Sequence, residues 1–341
     1  MIYKHTLRQQ ILTNIGPKPL EKNEYKIHTK FNLGKNLKIV SFGKHNKDKI
    51  FYIIKRTPGS GLFSNLTFVL NHISICISFN LIPIIDMKNF TTIYNEQNKI
   101  NGHYNAWEYY FEKLNKYSLK EVYQSQNVIF CNSIFGPNMT LDMKKEKTKK
   151  IFDKIKIKKN ITNKFDLYIK KNFKKNETIL GIHFRGSTYK VAKTHPFPPT
   201  INLILEEVDL LLKKNNYKKI FLVTEEKNYL DAFKKKYGDL CITYDTFRMN
   251  KKDLFKIYPR KNHRYKMGEE TIIDTLILSK CNGLLFTRSN LISAAMLFSK
   301  KKQKYHEIFL GYNSRNKFVA RWLWYIKCLL PKYLGGLRIL R

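Results

Sequence analysis

The sequence predicts an α/β protein of two domains, and three observations carry that reading. The chain has 341 residues, a length that suits two domains better than one. Short apolar strands alternate with helical stretches in both halves. Between the halves, residues 142–176 are lysine-rich and lack strong strand signals. Hydrophobic residues make up 43% and aromatics 14%, which suffices for packed cores and excludes a disordered chain.

The elements follow in order. Residues 38–43 (KIVSFG) and 50–56 (IFYIIKR) read as strands, and TPGSG at 57–61 punctuates. The stretch 62–79 reads as a largely buried helix and LIPIID at 81–86 as the next strand, completing a strand, glycine turn, helix and strand. Ser118 and Glu121 form a capping box, so a helix starts there. NVIF at 127–130 is a further strand. Helices on a basic surface are expected over 142–176. The second half then predicts strands at 178–184, 219–225, 238–244 and 283–287, and helices at 200–215, 227–237, 269–281 and 290–300. The domains expected are 1–165, 166–315 and a basic tail, 316–341.

The formal net charge is +38, from 64 Lys+Arg against 26 Asp+Glu, which favours an anionic partner such as nucleic acid, an acidic membrane face or a phosphorylated substrate. Lys, Asn and Ile crowd the whole sequence, so about half the excess is assigned to a global compositional bias. The same bias accounts for Asn-x-Ser/Thr triplets such as Asn89-Phe90-Thr91. Cys76, Cys131, Cys241, Cys281 and Cys328 are odd in number and widely spaced, as in a reduced, cytosolic protein. No signal peptide and no membrane-spanning run is read. No Asp-x-Asp and no His/Cys cluster with ligand spacing occurs, so no metal site is expected.

In parallel sheets, ligands bind beyond the carboxyl ends of the strands. Three polar stretches are expected there: HFRGST after 178–184, TEE after 219–224 and TRSN after 283–286. His183 and Arg185 alternate on a strand and share a face. Arginine suits bidentate contact with phosphate; its bland alternative is a structural salt bridge, with His183 as a satisfied core histidine. Thr224, Glu225 and Glu226 equally suit a helix start stabilised by carboxylates. Thr287, Ser289 and Asn290 precede a helix whose N-terminus can hold an anion, or simply cap it.

Together these stretches resemble the three C-terminal motifs of the fucosyltransferase superfamily that includes α1,6- and α1,2-fucosyltransferases and protein O-fucosyltransferases. The first stands here as His183-Phe184-Arg185-Gly186-Ser187-Thr188, the second as Thr224-Glu225, and the third as Asp274, Leu278, Ser279, Thr287, Ser289 and Asn290. GSGLFSNL resembles the family's glycine loop through Gly61, Phe63 and Asn65. The second Arg of the first motif is replaced by Gly186 and its acid by Thr188. The Arg of the glycine loop is replaced by Leu62, its second Gly by Ser64 and its Gln by Leu66.

The resemblance implies a GT-B fold, two Rossmann-like domains with parallel sheets facing across a cleft. The first would hold the acceptor and the second the nucleotide. It implies an inverting, metal-independent glycosyltransferase that uses GDP-fucose and no cofactor. Arg185 would be the catalytic cation on the departing diphosphate. His183, Gly61, Asn65, Glu225, Asp274, Thr287, Ser289 and Asn290 would bind the donor. A base is left open among Asp86, Glu96, Glu108 and Glu112. The alternatives are a transferase of the same fold using another nucleotide sugar, and a nucleic-acid-binding protein. The dispersal of the charge and the lack of a nucleic-acid module speak against the last.

HYNAWEYYF at 103–111 suits sugar stacking, or a helix burying Trp107 and Phe111. At 317–330, Phe318, Val319, Trp322, Leu323, Ile326, Leu329 and Leu330 gather on one helical arc, with Lys317, Arg321 and Lys327 on the other. This predicts either a membrane-surface helix or a last helix packed back on a domain. The expected setting is cytoplasmic, peripheral on the inner membrane face, with a surface-glycan or lipid-linked acceptor.

Overall fold

A computed structural model describes residues 21–25, 37–131, 146–186, 188–249 and 254–337. The chain forms two compact units: Met1–Thr162 with Phe255–Thr271, and Asn163–Leu254 with Ile272–Arg341. The segment 255–271 thus joins the first unit, and the tail joins the second.

The first unit is built on strands β1 (Glu21–Tyr25), β2 (Leu37–Ser41), β3 (Phe51–Ile54), β4 (Ile82–Ile85) and β5 (Val128–Phe130), in the order β1-β2-β5-β3-β4. β3 pairs parallel with β4 and β5, while β2 runs antiparallel to its two neighbours. All four residues of β3 are buried, as a central strand covered on both faces requires. Phe51 and Ile53 join Val40, Ile84, Val122 and Val128 in one core. Tyr52 faces the other way, its hydroxyl 3.0 Å from His72 Nδ1 on helix α1 (Leu62–Ser78). α1 is buried nearly all round over its first fifteen residues, which is why its sequence shows no polar stripe.

Short helices α2 (Trp107–Tyr110) and α3 (Leu119–Val122) follow, and Ser118 caps α3 by accepting from Glu121 N at 3.1 Å. In α2 the aromatic residues are structural: Trp107, Tyr109, Tyr110 and Phe111 are buried, and the Trp107 and Phe111 rings lie 4.4 Å apart. Helices α4 (Glu146–Phe152) and α5 (Lys159–Asn172) occupy the lysine-rich stretch.

The second unit holds a fully parallel sheet of β6 (Ile179–His183), β7 (Lys219–Val223), β8 (Cys241–Ile242), β9 (Gly283–Phe286) and β10 (Lys304–Glu307), ordered β10-β9-β6-β7-β8. Such pairing needs a crossover between strands. Helices α6 (Ile201–Asn215), α7 (Lys227–Tyr237), α8 (His263–Leu278) and α9 (Asn290–Phe298) lie between them in sequence, and α10 (Lys317–Leu329) follows. Leu180, Ile182, Ile220, Leu222 and Leu285 pack against Ile204, Val208 and Phe233 from α6 and α7. Among the described residues no helix is long and apolar enough to cross a membrane.

Candidate active site

The strand register assembles the site in the second unit. His183 pairs with Val223 on one side and Phe286 on the other, so β6, β7 and β9 end level. The residues that follow each strand therefore leave the sheet at the same edge. That edge carries Arg185, Thr224-Glu225-Glu226 and Thr287-Arg288-Ser289, the three polar stretches picked out in the sequence.

Arg185 Nη2 donates to Glu225 Oε2 at 3.0 Å, and its guanidinium lies 4.7 Å from the centre of the Tyr189 ring. A carboxylate on one side and an aromatic face below hold the group in one plane while its side chain keeps 29% of its exposure. The cation is thus both oriented and open to a ligand.

His183, by contrast, is buried, and its Nδ1 lies 3.5 Å from the Ser289 hydroxyl. Burial and then the charge of Arg185 push its pKa down to about 3. A cation buried beside another cation is costly, so His183 is neutral throughout the physiological range. The two side chains differ in exposure: β6 ends at His183, which is buried, while Arg185 just beyond it keeps 29% of its side-chain exposure.

At Gly186 packing fills the space beside the backbone: a Cβ there would lie 2.1 Å from the Tyr229 hydroxyl. Gly186 is the seat of Tyr229, whose ring stacks on Phe184 at 4.3 Å. Gly186 N donates to Glu226 Oε1 at 3.0 Å, so Glu226 ties the turn to the start of α7. Ser187 lies outside the described residues.

Ser289 caps α9 by accepting from Ile292 N at 3.3 Å, which leaves the exposed Asn290 at the first helical position. Thr287 is buried where β9 ends. Asp274 is buried on α8, where its charge helps raise the pKa of Tyr168, a hydroxyl raised first of all by burial. Among the described residues no three His, Cys, Asp or Glu side chains stand together to hold a metal ion.

In the first unit, Gly61 is the exposed N-cap of α1, and its carbonyl accepts from Asn65 N at 3.0 Å. The Asn65 side chain is buried and clasps the glycine loop: Oδ1 accepts from Ser60 N at 2.9 Å and Nδ2 donates to Ser60 O at 3.0 Å. Gly59 takes φ +73, and a Cβ there would meet Asn65 Oδ1 at 2.9 Å. Beside this loop stands Arg56, which sequence reasoning missed. Its Nη1 donates to Ser64 O at 2.6 Å and Ser64 Oγ at 3.1 Å, and burial lowers its pKa. Its position just beyond β3 was the available signal.

Each of the four carboxylates weighed as a base has partners. Asp86 accepts from Lys88 N, Asn89 N, Asn89 Nδ2 and the Tyr123 hydroxyl. Glu108 pairs with His103 at 2.9 Å and Glu112 with Lys158 at 2.8 Å. Glu96 accepts from Tyr265 N at 2.9 Å and from the Tyr258 hydroxyl; burial raises its pKa against the Tyr265 N–H bond and the Arg264 charge.

No protein-family model matches the chain, and no curated protein matches it. Solved structures do. The chain is similar to the fucosyltransferase NodZ from Bradyrhizobium, with a TM-score of 0.49 and 17% identity over 74% of this chain and 94% of that one. A NodZ α-1,6-fucosyltransferase soaked with GDP-fucose matches at TM-score 0.49 and 16% identity, over 74% of this chain and 93% of that one. POFUT1 in complex with GDP-fucose matches at TM-score 0.36 and 10% identity, over 77% of this chain and 74% of that one.

Proposed function

We propose that the chain is a glycosyltransferase that moves fucose from GDP-fucose onto a hydroxyl of a surface-glycan or lipid-linked oligosaccharide acceptor, with inversion and without a metal ion. The observation that carries this reading is the oriented, accessible Arg185 at the common edge of three parallel strands. In such a reaction the acceptor oxygen bonds to the anomeric carbon while the bond from that carbon to the diphosphate oxygen breaks. Negative charge grows on the diphosphate, and a pre-oriented guanidinium stabilises it more as the bond lengthens. The N-terminus of α9, with the Ser289 hydroxyl, supplies further N–H donors at the same edge. Glu225 and Asp274 would position the nucleotide. We place the reaction at the cytoplasmic face of a membrane, with the protein held peripherally through residues 317–341.

The test is a thermal-shift series with GDP, GDP-fucose, UDP, UDP-sugars and CMP in the presence of a chelator, since a ligand stabilises the fold according to its occupancy. Guanine nucleotides are expected to raise the melting temperature most. A clear UDP or CMP shift with none from GDP would assign another donor to the site. No shift from any nucleotide would overturn the transferase reading.

A further inference from the structure

α10 has two faces with opposite fates. Ala320 and Trp324 are buried, and Trp324 packs with Phe197 and Leu337 while its Nε1 donates to Pro198 O at 2.9 Å. On the far side Phe318 is 75% exposed, Trp322 66% and Leu329 75%, with Tyr325 at 43%. The spacing 318, 322, 325, 329 makes one continuous stripe along the helix. Leaving so much apolar surface in water is unfavourable, and a helix packed only for stability would point this stripe inward.

The charge around the stripe identifies what covers it. No Asp or Glu follows Glu307, whereas Arg315, Lys317 and Arg321 follow it and are exposed at and beside the start of α10. A second copy would set this cationic rim against a like rim on a chain of net charge +38. An anionic lipid surface satisfies both the apolar stripe and the cations. Trp and Tyr among the exposed residues suit the headgroup boundary. With 13 residues, α10 would lie in the plane of that surface rather than cross it.

The buried side of α10 leads back to the catalytic edge. Asn313 Nδ2 donates to Lys190 O at 3.2 Å and to Ala320 O at 2.9 Å, bridging the loop after Arg185 to the helix. Asn313 N donates to His195 O at 2.8 Å. Lys190 Nζ lies 4.5 Å from the Trp324 ring centre, and Tyr189, its neighbour, lies under Arg185. We propose that the outward stripe of α10 docks on an anionic lipid surface, and that docking steadies the 188–198 loop that holds Arg185. Restricting the helix removes freedom from the loop in advance, so the donor meets a more ordered site. The docking stands on the helix alone; its effect on the donor rests on the transferase reading above.

Sedimentation with vesicles containing phosphatidylglycerol, against vesicles of phosphatidylcholine alone, tests the docking. The protein is expected in the pellet only with the anionic vesicles, less so as salt rises. The double variant Trp322→Glu, Leu329→Glu is expected to lose that binding while melting like the wild type, because both residues are exposed. Unchanged sedimentation of the variant would overturn the docking, as would a solution dimer that the variant abolishes while the wild type ignores vesicles. Hydrogen exchange tests the coupling without any nucleotide: amides in 188–198 are expected to slow on docking, and unchanged exchange in vesicle-bound protein would overturn it. Loss of GDP binding with exchange still slowed would count against the transferase reading and leave the docking and loop ordering intact.

Discussion

Arg185 and Glu225 meet across the ends of β6 and β7, Nη2 to Oε2 at 3.0 Å, although 40 residues separate them in sequence. The pair is part-exposed, at 29% and 42%, so its contribution to stability is at most about 1 kcal/mol. Its value is orientation. Arg185→Ala is expected to fold, by circular dichroism, and to lower turnover by roughly 10²–10³-fold, as does loss of a donor to a developing anion. Arg185→Lys should recover part of this, since a point charge lacks the planar fork. A folded Arg185→Ala protein with near-native turnover would take Arg185 out of the chemistry.

Gly186 gives a packing prediction. Gly186→Ala places a methyl group where the Tyr229 hydroxyl and ring already stand, at 2.1 and 2.5 Å. Overpacking of this kind costs about 1–3 kcal/mol. Combining it with Tyr229→Leu should cost less than the sum of the two single changes, because the leucine vacates the space that the methyl group fills. Additive losses in urea unfolding would show that Tyr229 is not what excludes the methyl group.

His183 gives a prediction in pH. The unfolded side chain takes a proton near the usual value of 6.5, while burial holds the folded one down to about 3. The unfolded state therefore binds more protons between those limits, and stability falls as pH drops from 6.5 towards 3. His183→Gln should flatten the pH 5–6.5 part of the stability curve. In the wild type, the His183 ring resonances should not titrate above pH 5. A midpoint near 6.5 by NMR would refute the buried, neutral histidine.

Asn65 separates scaffold from ligand contact. Its amide satisfies both the N–H and the carbonyl of Ser60. Asn65→Ala should lower stability by about 1–3 kcal/mol, the cost of leaving buried polar groups unpaired. The melting temperature and GDP affinity, measured together, check this. Unchanged melting with GDP affinity lost would assign Asn65 to the ligand instead of the loop.

Where apolar pattern and turn chemistry coincide, the elements were legible. α7 runs over Lys227–Tyr237 as its sequence predicts, and Ser118 caps α3. β10 was missed because Lys304–Glu307 is a polar, largely exposed edge strand with no apolar signal. α8 starts at His263 instead of 269, since HRYKMG shows no clean periodicity and its contacts are tertiary. The strand expected at 238–244 shrinks to Cys241–Ile242 behind a 3₁₀ turn at Gly238–Leu240. The three polar stretches of the site could be read because each follows an apolar strand. The Arg185–Glu225 contact, the Glu226 tie to Gly186 and the Tyr229 seat could not, because they depend on strand register and on which side chain fills a space. The apolar arc of the tail fits a membrane-surface helix and a packed helix equally well. The helix does pack on the second unit through Ala320 and Trp324, and its other face stays exposed.

The return of Phe255–Thr271 to the first unit has a consequence for biosynthesis. Tyr110 is buried with its ring stacked on Tyr265 at 5.6 Å, and its hydroxyl donates to Tyr265 O at 3.1 Å. Glu96 is capped from the same segment by Tyr265 N and Tyr258. On the ribosome, neither group has these partners until some 150 further residues have emerged, at about 5–20 residues per second. The nascent first unit therefore waits many seconds with an aromatic seam and a carboxylate still in water, while strands of the second unit are already outside the tunnel. Order of synthesis and order of completion are decoupled, and a fragment ending at Thr162 should aggregate instead of folding as a domain.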